Sequence, residues 1–238
     1  MITIEELKEK LVYGCKVLAF EGQSDIIWGH VSCRLPGADT FLMKSAYLGL
    51  EEASANNIIS VDLEGNKIEG EAKLHSEVPI HSEIYKMHPR INCVVHTHPS
   101  NAVAFSSLGK ELLPVGHEAC LFSSGLPVYS DTTDLIREKT RGYDLAKCLG
   151  DNNAILMRNH GIVTVGTTVG EAVMTAILLE KACYMYLLAL QFGGPKYWTD
   201  PEEAKIKKNK IYGEPGSGKL DIAFDYYVRQ VKKLKNNS

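Results

Sequence analysis

A single α/β domain, its strands covered by helices, is the architecture that this 238-residue chain predicts. Its length suits one large domain with chain enough for a real core. Segments with apolar residues at helical spacing alternate with short apolar runs broken by turn residues. Neither an internal repeat nor a domain linker divides the sequence. Residues 1–238 therefore read as one unit, with 196–238 a helical C-terminal extension.

Thr3 can cap a first helix, and Glu5 and Glu6 in its first turn suit the helix dipole. Leu7, Leu11, Val12, Cys15 and Leu18 then recur on one helical face. Short strands are expected at 28–32, 40–43 and 58–61, separated by Pro36-Gly37 and Glu64-Gly65-Asn66. A helix is expected at 78–87. Residues 91–95, apolar without alternation, read as a buried strand. A helix at 101–108 and a strand at 126–129 follow. The next helix spans 133–149, capped by Thr133 or Asp134 and closed by Gly150. Strands at 154–157 and 162–165 flank the turn Arg158-Asn159-His160-Gly161. The longest helix, mostly apolar, runs over 169–192 and stops at Gly193-Gly194-Pro195. Helices at 197–212 and 220–234 complete the chain, joined by Glu214-Pro215-Gly216-Ser217-Gly218. That joint lacks the GxxxxGK[ST] frame and reads as a linker.

Composition excludes some functions. With 26 basic and 29 acidic side chains, the formal charge of -3 gives no pull towards nucleic acid or anionic membrane. The N-terminus lacks a secretory pattern, and the apolar stretches look too short or interrupted to span a bilayer. Six cysteines without a CxxC pair read as small buried hydrophobes of a reducing compartment. The expectation is a cytoplasmic protein.

Eight histidines carry the chemistry. His96 and His98, at i and i+2 near a strand end, point to one face by alternation. Pro99 then turns the chain out of the sheet. His160 lies in a turn beside Gly161, which permits close backbone approach. Glu77 immediately precedes a helix. Three neutral imidazoles and a carboxylate suit Zn, Mn, Fe or Co. By itself an HxH pair is equally two packed or surface histidines, and spacing alone does not bring these residues together. His81 and His88 read as surface helix residues, and Asp131 and Asp134 as turn and cap.

The segment Val94-Val95-His96-Thr97-His98-Pro99, with Asn159-His160-Gly161 downstream and Ser76-Glu77 upstream, resembles the class II aldolase/adducin family. Gly29-His30-Val31-Ser32-Cys33-Arg34 is similar to that family's early GNxSxR segment, with His30 where the sugar-phosphate enzymes carry Asn. The resemblance implies a three-layer α/β/α sandwich around a central, mainly antiparallel sheet. It implies one divalent metal per subunit held by His96, His98 and His160, with zinc the default and Mn or Fe also fitting. Glu77 matches a carboxylate that leaves the metal to act as acid or base. It further implies a lyase working through a metal-bound enolate, in a homotetramer with its site between subunits.

Three departures bear on the substrate. Lys44-Ser45-Ala46-Tyr47-Leu48-Gly49 replaces the Thr-Gly turn of phosphate-binding aldolases. His75-Ser76-Glu77 replaces a Ser-Ser-Glu triplet, leaving Ser76 as its one hydroxyl. His117 is followed by Glu118 in place of a proton-donating tyrosine. His30, Lys44, Ser76, His117 and Glu118 are therefore the candidate substrate-binding residues. The departures favour decarboxylation of a non-phosphorylated hydroxy- or oxo-carboxylic acid. The alternatives are an aldolase or epimerase acting on a ketose phosphate such as fuculose phosphate, and a non-catalytic adducin-like binding domain. The expected partner is a small-molecule substrate, with no nucleic acid and no membrane. Tyr226 and Tyr227 are left without a role.

Overall fold

The structure is a computed structural model and describes residues 2–236. Helix α1 (Ile4–Phe20) starts as expected: Thr3 accepts from the Glu6 amide at 3.1 Å, and the Glu6 carboxylate accepts from the Thr3 amide at 2.8 Å. That reciprocal pair satisfies two amides that the first turn would leave open. Strands β1 (His30–Cys33), β2 (Thr40–Lys44), β3 (Ile58–Asp62) and β4 (Lys67–Glu69) follow. Helix α2 (Val78–Met87) leads to β5 (Cys93–Thr97), α3 (Ser100–Ser106), α4 (His117–Cys120) and β6 (Val128–Tyr129). Then come α5 (Lys139–Leu149), the hairpin β7 (Ala154–Met157) and β8 (Gly161–Gly166), α6 (Val169–Gln191), α7 (Pro201–Ile211) and α8 (Lys219–Asn236).

The strands form one eight-stranded sheet in the order β4-β3-β2-β1-β5-β8-β7-β6. Every neighbouring pair is antiparallel except β6 with β7. The mainly antiparallel sandwich expected from the resemblance is thus what the chain forms. Alternation along each strand sends side chains to two separate apolar layers. Val31, Cys33, Cys93 and Val95 pack with α1, α3, α6 and α8 on one face. Met43, Val94, Ile155 and Val163 pack with α2 and α5 on the other. His30 and His96 stand directly opposite each other on β1 and β5. By the same alternation they fall on the α2 side.

Several boundaries differ from the sequence expectation. The helix expected from residue 133 starts at Lys139, with Glu138 as an extended N-cap. The preceding stretch is held out of the helix because the Ile136 amide donates to Glu77 Oε1 at 2.8 Å. The helix expected from 197 begins at Pro201, where the Asp200 carboxylate accepts from the Glu202 amide at 2.9 Å and caps the first turn. The buried strand expected at 91–95 is shifted to Cys93–Thr97, which keeps His96 within the ladder. Strand β4 and helix α4 were not expected. Both are short, and β4 is exposed along its length, so neither leaves an apolar pattern.

His81 is a correction. It is fully buried on α2, not on the surface. Helix α2 lies between the sheet and α5, and every residue from Val78 to Tyr85 is buried. No solvated face is left for that part of it. His88 is half-buried, one ring nitrogen 2.9 Å from the Ala146 carbonyl. All six cysteines are free, and five are buried, as their reading as small hydrophobes required.

Helix α6 corrects a further expectation, because by length and composition it can cross a bilayer, with mean hydropathy 1.6 over its apolar span. Half of that span is buried in this fold. Its N-terminus is built around Glu171, which is 6% exposed. Glu171 Oε2 accepts from the Thr167 amide at 2.8 Å and the Thr167 hydroxyl at 2.7 Å, and Oε1 accepts from the Gly216 amide. One carboxylate thereby ties the 214–218 joint to the helix start, where its charge also suits the dipole. Glu171→Ala is expected to cost roughly 2–3 kcal/mol, since it unpairs buried donors from a charged acceptor. An unchanged urea midpoint would remove Glu171 from this role.

Candidate metal centre

Three segments far apart in sequence bring four residues together at the α2 face of the sheet. His96 comes from β5, His98 from just beyond it, His160 from the β7–β8 turn, and Glu77 from the N-cap of α2. The turn can approach closely because residue 161 is glycine. A Cβ there would lie 2.5 Å from the Thr97 carbonyl oxygen and 2.7 Å from a His98 ring carbon. Asn159 takes a left-handed φ of 58° to bring His160 round. Past His98, Pro99 ends the strand, and the first amides of α3 are held by Glu180: Asn101 donates to it at 3.0 Å and Ala102 at 2.8 Å.

The ligand atoms of His96, His98 and His160 lie within 4.8 Å of one another, as do those of His30, Glu77 and His96. His96 Nδ1 donates to the Ile162 carbonyl at 2.9 Å. A carbonyl can only accept, so this bond fixes the proton on Nδ1 and leaves a lone pair on Nε2. His98 Nδ1 donates in the same way to Asp25 Oδ2 at 3.0 Å. The two Nε2 atoms then face each other at 3.0 Å, lone pair against lone pair. Both nitrogens of His160 are buried, and neither has a hydrogen-bond partner among the described residues. A divalent cation takes up the two facing lone pairs together with one nitrogen of His160, so the donor set fits one. Zinc, manganese and iron all accept imidazole and carboxylate ligands.

Burial sets the charge state of the cluster. It pushes the His96 and His30 imidazoles well below their ordinary value, helped by neighbouring rings. His160 falls to about 4 through burial and the nearby His98. His98 is also lowered by burial, against the pull of Asp25. Burial raises the Glu77 carboxyl, opposed by the Ile136 amide and Arg137. Glu77 Oε2 stands 3.7 Å from Nε2 of both His30 and His96, and Oε1 is 3.7 Å from His160 Nε2. With neutral rings these are close approaches, not ion pairs. Oε2 is therefore the uncommitted oxygen of this carboxylate.

The remaining candidates divide. His30 is fully buried, its ring centroid 4.8 Å from that of His96 and 4.5 Å from that of His75. His75 is depressed to about 3 by burial and by Lys44, and its Nε2 has no partner. Lys44 is fully buried and donates to the Ser45 carbonyl at 2.8 Å and to the Leu48 carbonyl. Two of its three protons thus hold the loop that follows β2. Ser76 is exposed beside Glu77. His117 is exposed and Glu118 half-buried on α4, where Glu118 acts on Tyr212 and Cys120. No hydrogen bond or ion pair among the described residues joins them to the cluster.

Sequence reasoning missed Asp25 and the burial of His81. Asp25 lies in the irregular 21–29 connection, anchored because Gln23 spans the Thr97 hydroxyl at 2.9 Å and the Ala176 carbonyl at 3.0 Å. Nothing periodic marks it. His81 did carry a signal: it sits one helical turn after Glu77, on the same face of α2.

The model for class II aldolase and adducin N-terminal domains matches residues 9–187, and the chain belongs to that family. It is 35% identical over 188 residues to the meiotically up-regulated gene 14 protein of Schizosaccharomyces pombe, covering 76% of this chain and 73% of that one. It is 31% identical over 200 residues to 3,4-dihydroxyphthalate decarboxylase of Arthrobacter keyseri, covering 79% and 80% respectively. Among solved structures, L-fuculose 1-phosphate aldolase from Glaciozyma antarctica PI12 superposes with a TM-score of 0.85 at 29% identity, over all of this chain and 94% of that one.

Proposed function

We propose that this protein is a metal-dependent carbon–carbon lyase that decarboxylates a small, non-phosphorylated hydroxy- or oxo-carboxylic acid. The observation that carries the reading is the pair of facing lone pairs on His96 and His98, with His160 and Glu77 beside them. His96, His98 and His160 hold one divalent cation, zinc by default. When bound, the cation supplies a positive charge towards which the electrons of the breaking C–C bond are drawn. His30 presents an unpartnered Nε2 to the cluster, the His75 ring lies 4.5 Å from the His30 ring between centroids, and the Lys44 ammonium adds positive charge near His75. That wall suits a carboxylate oxygen. Carbon dioxide leaves without the bonding electrons, and Glu77 Oε2, on a carboxyl whose pKa burial raises, returns a proton to the remaining carbon. Similarity to a decarboxylase over about four-fifths of both chains supports this choice.

His117 and Glu118 take part only in an assembly that places the site between copies, and we propose a cytoplasmic homotetramer of that kind. Exposed Tyr184, Met185 and Phe192 at the C-terminal end of α6 support association. The second reading, aldol cleavage of a ketose phosphate, is favoured by the full-length superposition on a fuculose-phosphate aldolase. A mass-spectrometric product screen separates the two. Zinc-loaded protein is incubated with hydroxylated aromatic carboxylates, 3-oxo acids and ketose phosphates. Loss of carbon dioxide from a carboxylate is expected. Cleavage of a ketose phosphate into two carbonyl fragments, with the acids untouched, overturns the decarboxylase reading.

A further inference from the structure

We infer that His30 presents an N–H, not a lone pair, to the cluster, so that it binds an anionic substrate oxygen and stands outside the cation's ligand set. Three residues that nothing above assigns to the site fix this: His81, Ser32 and Tyr85. They form a buried chain of hydrogen bonds that runs from Tyr85 on α2 to His30 on β1. Tyr85 Oη is 2.7 Å from Ser32 Oγ, Ser32 Oγ is 2.6 Å from His81 Nδ1, and His81 Nε2 is 2.7 Å from His30 Nδ1. Tyr85 is 1% exposed, and Ser32, His81 and His30 are fully buried.

Each link holds one proton, so the chain has two possible directions. The phenol decides between them. Among the described residues Ser32 Oγ is the single hydrogen-bond partner of the Tyr85 hydroxyl, so its proton goes to Ser32. Were it to accept from Ser32, its own proton would be a buried donor with no acceptor. The Ser32 proton then goes to His81 Nδ1. A neutral ring that accepts at Nδ1 carries its proton on Nε2, so His81 donates to His30 Nδ1. His30 in turn carries its proton on Nε2. That atom is buried, unpartnered and 3.7 Å from Glu77 Oε2.

The contrast with the neighbouring rings is chemical. His96 and His98 are anchored by a carbonyl and a carboxylate, which accept at Nδ1 and leave lone pairs for a cation. His30 is anchored by a relay that starts at a phenol and delivers a donor. Of the two possible ligand triads, this favours His96, His98 and His160 over His30, Glu77 and His96. The ligand class for His30 is a carboxylate or a developing enolate oxygen. Only this assignment of what His30 binds rests on the proposed lyase activity; the position of the proton does not. His81, Ser32 and Tyr85 are positioning residues.

The test uses the cation-free protein with ¹⁵N-labelled histidine. Long-range proton–nitrogen correlations are expected to show His30 protonated on Nε2, and His96 and His98 on Nδ1. The His30 signals are assigned by their disappearance in His30→Gln. His81→Glu, measured at a pH where the new carboxyl is ionised and can only accept, is expected to move the His30 proton to Nδ1. A wild-type His30 protonated on Nδ1 overturns the inference. Zinc titration adds an independent reading. His30→Leu and His30→Gln are expected to keep the wild-type stoichiometry, and loss of zinc from folded His30→Leu overturns the inference too. With a substrate in hand, kcat/KM is expected to fall about a hundredfold in His30→Leu and about tenfold in His30→Gln, whose amide can still donate. Failure of wild-type protein to bind zinc would overturn the metal-dependent reading instead, leaving the nitrogen correlations to decide this one.

Discussion

His96→Ala is expected to keep the fold and lose the bound divalent cation, with catalytic efficiency falling at least about a thousandfold. His96 is the ring that both possible ligand triads share. Its proton is fixed on Nδ1 by the Ile162 carbonyl, which makes Nε2 the lone pair that the variant removes. Asp25→Asn makes a milder version of the same defect. It weakens the acceptor that orients His98, and changes of this kind typically cost ~10–100-fold in metal affinity. Elemental analysis of dialysed protein, with circular dichroism to confirm folding, reads both variants. Full cation content in folded His96→Ala would sink the ligand assignment.

The second large effect is acid lability of the cation-free chain. His30, His75, His81, His96, His98 and His160 all hold imidazoles below their ordinary value, chiefly through burial. As pH falls below about 6.5, the unfolded chain binds protons that the buried rings refuse. The folded state then carries fewer protons, and its stability declines with falling pH. The decline ends near pH 4 for His160 and near 3 for His75 and His81. Each ring contributes a slope of about 1.4 kcal/mol per pH unit inside its window. Glu77 acts in the opposite sense, because its raised pKa lets the folded state take up a proton first. Asp221, whose carboxyl burial also raises, acts in the same sense as Glu77, and six rings against these two carboxyls still leave a net loss. Urea midpoints measured between pH 7 and pH 5 should fall sharply, and a flat profile would show that the rings are not buried as neutral groups.

Much of the site was legible because its residues sit at punctuation points of the chain. His96 and His98 precede a proline, His160 precedes a glycine, and Glu77 stands at a helix start. What the sequence could not reveal depends on distant contacts. Reading His81 as a surface residue gives α2 a solvated face, but α5 covers it, and that burial makes His81 part of a relay. The late start of α5 is set by Glu77, a residue some sixty positions upstream of its first turn, through the Ile136 amide. Asp25 is invisible for the same reason, since only the fold brings it to His98. The long helices were legible because 3.6-residue periodicity is a local property. The three exposed residues of β4 carry no such pattern.

That short strand also limits how the protein can associate. The sheet ends on β4, three exposed residues that include Lys67 and Glu69, and on β6, only two residues long. Neither border offers a run of open amides and carbonyls long enough to template another strand. In the proposed assembly, copies of the chain would therefore meet through side chains of helices and loops, not by extending the sheet. Such contacts can be tuned or abolished by single surface substitutions that leave the eight-stranded framework untouched.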